Sequence, residues 1–299
     1  MTSQEAQALV DQGIQQLTEN PDQWKQWADT MAQFPKYSPG NALLIMQQRP
    51  DATLVMGYRA WQTLDRHVMK GEHGITIIAP MIRRVTDEDA PEHSPVTSSS
   101  PRVITGFKAA TVFDVSQTEG KALDVPRPQE LRGEAMRELL NHVIQSAVPV
   151  PVRFEAIPGG AYGVWQPSQG QITIRPDIEP NHQFKTLLHE WSHAIGVPDA
   201  SSFPDIHRGT EEVAAETTAY VTAKLLGLDT SDYSTAYVGH WSHGDPQQVI
   251  AVTQGVGQRV HQIVQTLEAA ASHDPVIAQA IVPWSAIGQP AQRQDALTR

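Results

Sequence analysis

The stretch Phe184 to Gly196, FKTLLHEWSHAIG, constrains the fold more than any other part of the chain. It combines helix-favouring residues with apolar positions at helical spacing, so it reads as one amphipathic helix. Inside it lies His189-Glu190-Trp191-Ser192-His193. Two residues four apart on a helix share a face, one turn above the other. Both imidazoles can therefore reach a common point. Glu190 sits about 100° round the helix from His189 and flanks that point rather than entering it. Gly196 suits the end of the helix, and Pro198 prevents its continuation. A helix beside a small sheet, followed by a second helix with further donors, is the layout this arrangement requires.

The chain has no cysteine, which excludes disulfide scaffolds, thiolate metal sites and cysteine nucleophiles. Any transition-metal site must use histidines and carboxylates. H-E-x-x-H on a helix is the spacing of a zinc peptidase centre. His189 and His193 are the expected ligands. Glu190 is the expected catalytic carboxylate, taking a proton from an activated water and returning it to a leaving amine. Two candidates compete for the third ligand. Glu211-Glu212-Val213-Ala214-Ala215-Glu216 places Glu212 and Glu216 one turn apart, with Glu212 19 residues beyond His193. The stretch is similar to the second helix of the glutamate-type zincins, whose first acid binds the metal and whose second orients a ligand histidine. Glu212 is assigned to the metal and Glu216 to the outer layer, with the reverse open. The other candidate is Asp199, since HEWSHAIGVPD fits a metzincin variant. Those enzymes need a methionine beyond the motif, and the last methionine here is Met136. Tyr237, near His240 and His243, is a candidate oxyanion stabiliser, with a packed aromatic as the alternative. Two histidines and a glutamate suit Zn2+ and also accept Mn2+ or Co2+.

The 299 residues fit one large domain or two ordinary ones, and the net charge is -11. That charge argues against indiscriminate nucleic-acid binding over the whole surface. The start, MTSQEAQALVDQGIQQL, lacks the features of a signal peptide, and no apolar run reaches the length of a membrane span. A cytoplasmic protein with no membrane partner is expected. Helices are expected over 3 to 18 and through Trp24 and Trp27. Residues 86 to 101, TDEDAPEHSPVTSSSP, read as a mobile loop. GKALDVPRPQE marks an inter-domain boundary, dividing the chain into 1–125 and 126–299. Beyond it the sequence predicts a helix over 130–147, then strands in VRFEAI, AYGVW and QITIR. Further helices are expected over about 182–195, 210–226, 232–241 and 246–271, with a loosely ordered tail after Pro283. The predicted fold class is α+β: an α+β first domain, then a mostly helical zincin-like domain with a small sheet.

Within residues 54 to 84, Arg59, Arg66, Lys70, Arg83 and Arg84 outnumber Asp65 and Glu72, with Tyr58, Trp61 and His67 interleaved. Cations with aromatics suit single-stranded nucleic acid, whose phosphates take the charge and whose bases stack on rings. The turn from Lys70 through Gly71 to Gly74 would let a phosphate approach the backbone. GYRAWQTLDRHVMKGEHGITIIAPM resembles the N-terminal single-stranded-DNA-binding domain of the ArdC-type antirestriction proteins. Trp61, the Val68 to Gly74 turn and the apolar strand after it carry that resemblance, with Tyr37 to Leu44 upstream and VFDVSQT downstream. In that family a zincin-like metallopeptidase domain follows, and residues 189–193 and 211–216 fit its motifs. The second half is also similar to the ImmA/IrrE metallopeptidases. The resemblance implies a plasmid- or mobile-element-type antirestriction protein that binds single-stranded DNA and protects incoming DNA. It implies DNA contacts at Arg59, Trp61, Arg66, Lys70, Gly71 and Gly74. A zinc endopeptidase that cuts a regulatory protein substrate is the alternative expectation, and a zinc-stabilised module without catalysis a third.

Overall fold

The computed structural model describes residues 1–84, 102–123, 133–198, 208–228, 230 and 245–285. These form two compact units, one of Met1–Gln12 with Leu44–Lys121, the other of Gly13–Leu43 with the described residues from Ala122 onward. The expected loop at 86–101, the helical stretch 232–241, and Asp199, Tyr237, His240 and His243 lie outside the described residues. The architecture is α+β, as expected. Among the described residues no helix is long and apolar enough to cross a membrane.

The first unit is built on an antiparallel sheet in the order β1 (Val55–Gly57), β4 (Arg102–Asp114), β3 (Ile75–Arg84). Ile75, Ile77 and Ala79 alternate into the core, the period-two pattern of a half-buried strand. Pro80 lacks an N–H, and it is tolerated because β3 is an edge strand. Helix α4 (Tyr58–Thr63) follows β1, and β2 (Arg66–Val68) pairs with β5 (Thr118–Gly120). Asp114 anchors the chain where β4 ends. Its carboxylate accepts from the backbone N–H groups of Thr53, Leu54 and Ser116 at 2.7–3.0 Å. Those donors hold its pKa down despite burial, which alone would raise it. Gln117 donates to Glu72 Oε2 and the His73 carbonyl, fixing the Lys70–Gly74 turn from below.

The second unit begins with helix α2 (Pro21–Gln33), capped by Asn20, whose side chain accepts from the Asp22 N–H at 2.9 Å. Helix α1 (Ser3–Glu19) precedes it and α3 (Pro39–Gln48) follows. After α5 (Gly133–Ser146) comes a small sheet in the order β6 (Val152–Phe154), β8 (Gln171–Ile174), β7 (Gly163–Gln166). β6 runs parallel to β8, and β7 antiparallel to it. Helices α6 (Pro180–Gly196), α7 (Arg208–Leu225), α8 (Pro246–Ala271) and α9 (Pro275–Ser285) complete it. Helix α2 packs on α7. The Trp24 indole N–H donates to Thr217 Oγ1 at 3.1 Å, and Tyr220 donates to Asp29, which also pairs with Lys25 and Lys224.

Candidate metal centre

Helix α6 starts at Pro180, whose missing N–H costs nothing at a first helical position. It buries Phe184, Leu187, Leu188 and Trp191 and leaves the histidine face partly open. Strand β7 grips it at two points. The Trp165 N–H donates to Glu190 Oε2 at 2.7 Å, and the Trp165 indole donates to the Val197 carbonyl at 2.7 Å, satisfying a helix-end acceptor. The approach is so close that a Cβ on Gly163 would stand 2.4 Å from Thr186 Cγ2 and 3.1 Å from Glu190 Oε1.

His189 Nε2 and His193 Nε2 lie 3.0 Å apart. Helix α7 brings Glu212 to both, at 3.5 Å from His189 Nε2 and 3.6 Å from His193 Nε2. One donor atom from each of these three residues lies within 4.8 Å of the other two. Donors around a tetrahedral ion at about 2.0–2.2 Å stand roughly 3.3–3.6 Å apart; the two Glu212 distances lie in that range, and the histidine pair is a few tenths of an ångström closer. The outer hydrogen bonds agree. His189 Nδ1 faces Glu216 Oε2 at 3.2 Å, and His193 Nδ1 faces Glu211 Oε1 at 3.0 Å. Carboxylates there hold the ring proton on Nδ1 and turn both Nε2 lone pairs inward. Two neutral rings would avoid that meeting, and a cation satisfies it.

The carboxylates also make the centre strongly attractive to positive charge, whether a proton or a cation. Burial works against a protonated His189, but Glu212 and Glu216 outweigh it and raise its pKa to about 10. His193 is raised on the same balance, with burial opposed by Glu211 and Glu212. Glu212 is held well below the usual carboxylate range by its two histidine partners. Glu190 moves the other way, because burial disfavours its charge. The centre opens on a cleft of about 340 Å³ whose lining includes Tyr162, Lys185, Glu216 and Tyr220.

Of the residues singled out from sequence, His189, His193, Glu212, Glu216 and Glu190 meet here. Two neighbours were not foreseen. Glu211 is one residue from Glu212 but meets the outer nitrogen, Nδ1, of His193. It accepts a 2.6 Å ion pair from Arg259 Nη2 of α8. Arg259 Nη1 also reaches Ser192 Oγ at 3.3 Å. Glu211 was legible as part of an acidic run. No spacing signal links Arg259 to His193.

The expected DNA-contact residues fare unequally. Arg59, Lys70 and Gly71 are exposed, and Gly71 takes φ +93°, a conformation that favours glycine. Trp61 is fully buried, and its indole donates to the Phe113 carbonyl at 3.0 Å. It is a core residue and offers no stacking face, which corrects its assignment. Arg66 is spent inside the fold, donating to Thr118 Oγ1, the Thr118 carbonyl and the Lys121 carbonyl at 2.6–2.8 Å. Gly74 is required by packing rather than by a ligand, since a Cβ there would stand 2.2 Å from Thr111 Cγ2.

Fold and site together define an α+β protein with a candidate single-metal centre of the H-E-x-x-H kind, completed by a glutamate from the next helix. Residues 3–113 match the family model of the N-terminal domain of anti-restriction factor ArdC. It is 27% identical over 277 residues to the uncharacterized protein pXO2-81 of Bacillus anthracis, covering 80% of this chain and 47% of that one. It is 25% identical over 198 residues to the uncharacterized protein y4eC of Sinorhizobium fredii, covering 62% and 61%. The chain thus spans about half to three-fifths of the length of these curated relatives. Crystal structures of the antirestriction ArdC protein from plasmid R388, metal-free and Mn(II)-bound, resemble it with TM-scores of 0.47 and 0.48. Identity is 17%, covering 80% of this chain and 86% of theirs.

Proposed function

We propose that the protein is an antirestriction factor that binds single-stranded DNA through residues 1–125 and carries a hydrolytic metal centre of the peptidase kind in residues 126–299. The ArdC-type match over residues 3–113 supports the first half of this reading. The convergence of His189 Nε2, His193 Nε2 and Glu212 carries the second.

Zn2+, or Mn2+ or Co2+ in its place, would be held by His189, His193 and Glu212 and would supply Lewis acidity toward a carbonyl oxygen and toward water. The chain's own residues do the rest. Glu190 has one oxygen fixed by the Trp165 N–H, which leaves Oε1 to take up and return a proton. Its raised pKa brings it closer to the working pH of a general acid and base. Glu216 holds the His189 ring in register. On the DNA side, exposed Arg59 and Lys70 supply charge and Gly71 a close backbone approach. Tyr58, 48% exposed beside the Phe113 ring, takes the aromatic role that buried Trp61 cannot.

Two experiments test the halves separately. Titration of single- and double-stranded DNA at varied salt should show a salt-sensitive preference for the single strand, weakened by charge reversal at Arg59 and Lys70. No binding near physiological salt would remove the DNA half. Glu190→Gln should keep the metal while removing hydrolysis, measured as bound metal and peptide-bond cleavage. Protection of transferred DNA by this variant then separates the mechanisms. Persistence makes the centre a scaffold for protection. Loss favours the reading in which cleavage of a regulatory protein is the main activity. The burial of Glu190 beside the two histidines, with one oxygen held by the Trp165 N–H, is the observation that favours that second reading.

A further inference from the structure

The two candidate ligand histidines are not supported alike. Glu216, behind His189, has a side chain 51% exposed and meets water on its other side. Glu211, behind His193, is 13% exposed, and its second oxygen is taken by Arg259, itself 9% exposed. The guanidinium is fixed in turn. It reaches Ser192 Oγ, a fully buried group one residue before His193, and fills the space a side chain at Gly196 would need. A Cβ at Gly196 would stand 2.0 Å from Arg259 Nη2. Arg259 sits on α8, which carries none of the donors. Its fork therefore joins the end of the H-E-x-x-H helix to the start of the glutamate helix through a third element.

We propose that Glu211 and Arg259 act as one positioning pair that aims His193 at the metal, and that this pair, more than Glu216, sets how tightly the centre holds its ion. The proposal rests on the reading of His189, His193 and Glu212 as ligands. The physical case is rigidity. A half-exposed carboxylate such as Glu216 exchanges its partner for water at little cost. A buried carboxylate locked by a guanidinium fork keeps one direction, and with it one ring orientation and one tautomer for His193. Losing one member of a buried pair strands the other, so the two should fail together.

The test is Zn2+ affinity of the full-length protein, by competition with a chromophoric chelator, in the parent and in Glu211→Gln, Arg259→Met, the double variant and Glu216→Gln. Loss of an outer partner of a metal-ligating histidine typically costs about 10–100-fold in affinity. Glu211→Gln and Arg259→Met are each expected in that range, the double variant no worse than the weaker single one, and Glu216→Gln only a few-fold down. The d–d absorption of the Co2+-loaded protein should shift in the Glu211 and Arg259 variants and stay close to the parent in Glu216→Gln. Gly196→Ala displaces the guanidinium while leaving every carboxylate and histidine in place, and it should weaken Zn2+ in the same way. It keeps the question answerable if Arg259→Met does not fold. Equal losses from Glu211→Gln and Glu216→Gln, additive losses in the double variant, or unchanged affinity in folded Gly196→Ala and Glu211→Gln would each overturn the proposal. A parent that takes up no Zn2+, and matches His189→Ala in this, would overturn the ligand reading itself and this proposal with it.

Discussion

At the residue scale the centre depends on what is absent as much as on what is present. Gly163 has no side chain because Thr186 and Glu190 occupy its space. Gly163→Ala should cost about 1–3 kcal/mol through overpacking, read in a urea melt, and should push Glu190 off the Trp165 N–H. An unchanged melting curve would show that β7 can yield. Four-residue helical spacing picked out His189, Glu190 and His193, and likeness to the glutamate-type zincins assigned Glu212 to the metal, with the exchange with Glu216 left open. Spacing could not reveal that Glu211, about a hundred degrees round from Glu212, backs His193 from its outer side. That depends on how α7 crosses α6. The DNA-side residues show the opposite failing. The family resemblance assigned Trp61 and Arg66 to DNA, whereas the indole fills the core and the guanidinium stitches β2 to β5.

At the scale of elements, strong end signals were read well. Helix α8 spans Pro246–Ala271, the range expected, because Asp245 caps it and Pro246 opens it. The three short strands of the second unit were placed by their apolar alternation, although each proved shorter than its sequence stretch. Helix α9 was missed, although Asp274-Pro275 is the same signal as Asp245-Pro246. Asp274 accepts from the N–H groups of Val276 and Ile277, and also from Ser146 and His142 of α5. Burial would raise its pKa, but these partners bring it down to about 2. Its folded value therefore lies below its ordinary value of 3.8. The stabilisation is complete above the ordinary value and is lost as pH falls from there toward 2. Circular dichroism melts between pH 5 and pH 2 should show this acid loss in the parent. Asp274→Asn should already lack that part at pH 5 and fall less steeply.

At the scale of the whole molecule, a bound ion should raise stability in proportion to its affinity. At a hundred-fold excess over Kd the gain is about 2.7 kcal/mol, provided the unfolded chain does not bind. The melting temperature should accordingly rise with added Zn2+ or Mn2+ and fall back with a chelator. His193→Ala should show no response to either, and a full response there would place the ion elsewhere. Composition and motif order divide the sequence into 1–125 and 126–299. The grouping of residues 13–43 with the second unit was not legible there, because nothing local in Trp24, Trp27 or Asp29 announces a partner nearly two hundred positions away.

That distant partnership has a temporal side. Trp24 and Asp29 leave the ribosome early, yet their seats on Thr217 and Tyr220 do not exist until most of the chain has been made. Contacts between such remote positions form late, since a long loop must close before they repay its entropy. The helix that offers Glu212 is thus splinted by a segment made nearly two hundred residues before it. Metal capture therefore waits for α7, and a truncated product that stops short of Glu212 lacks one of the three candidate ligands.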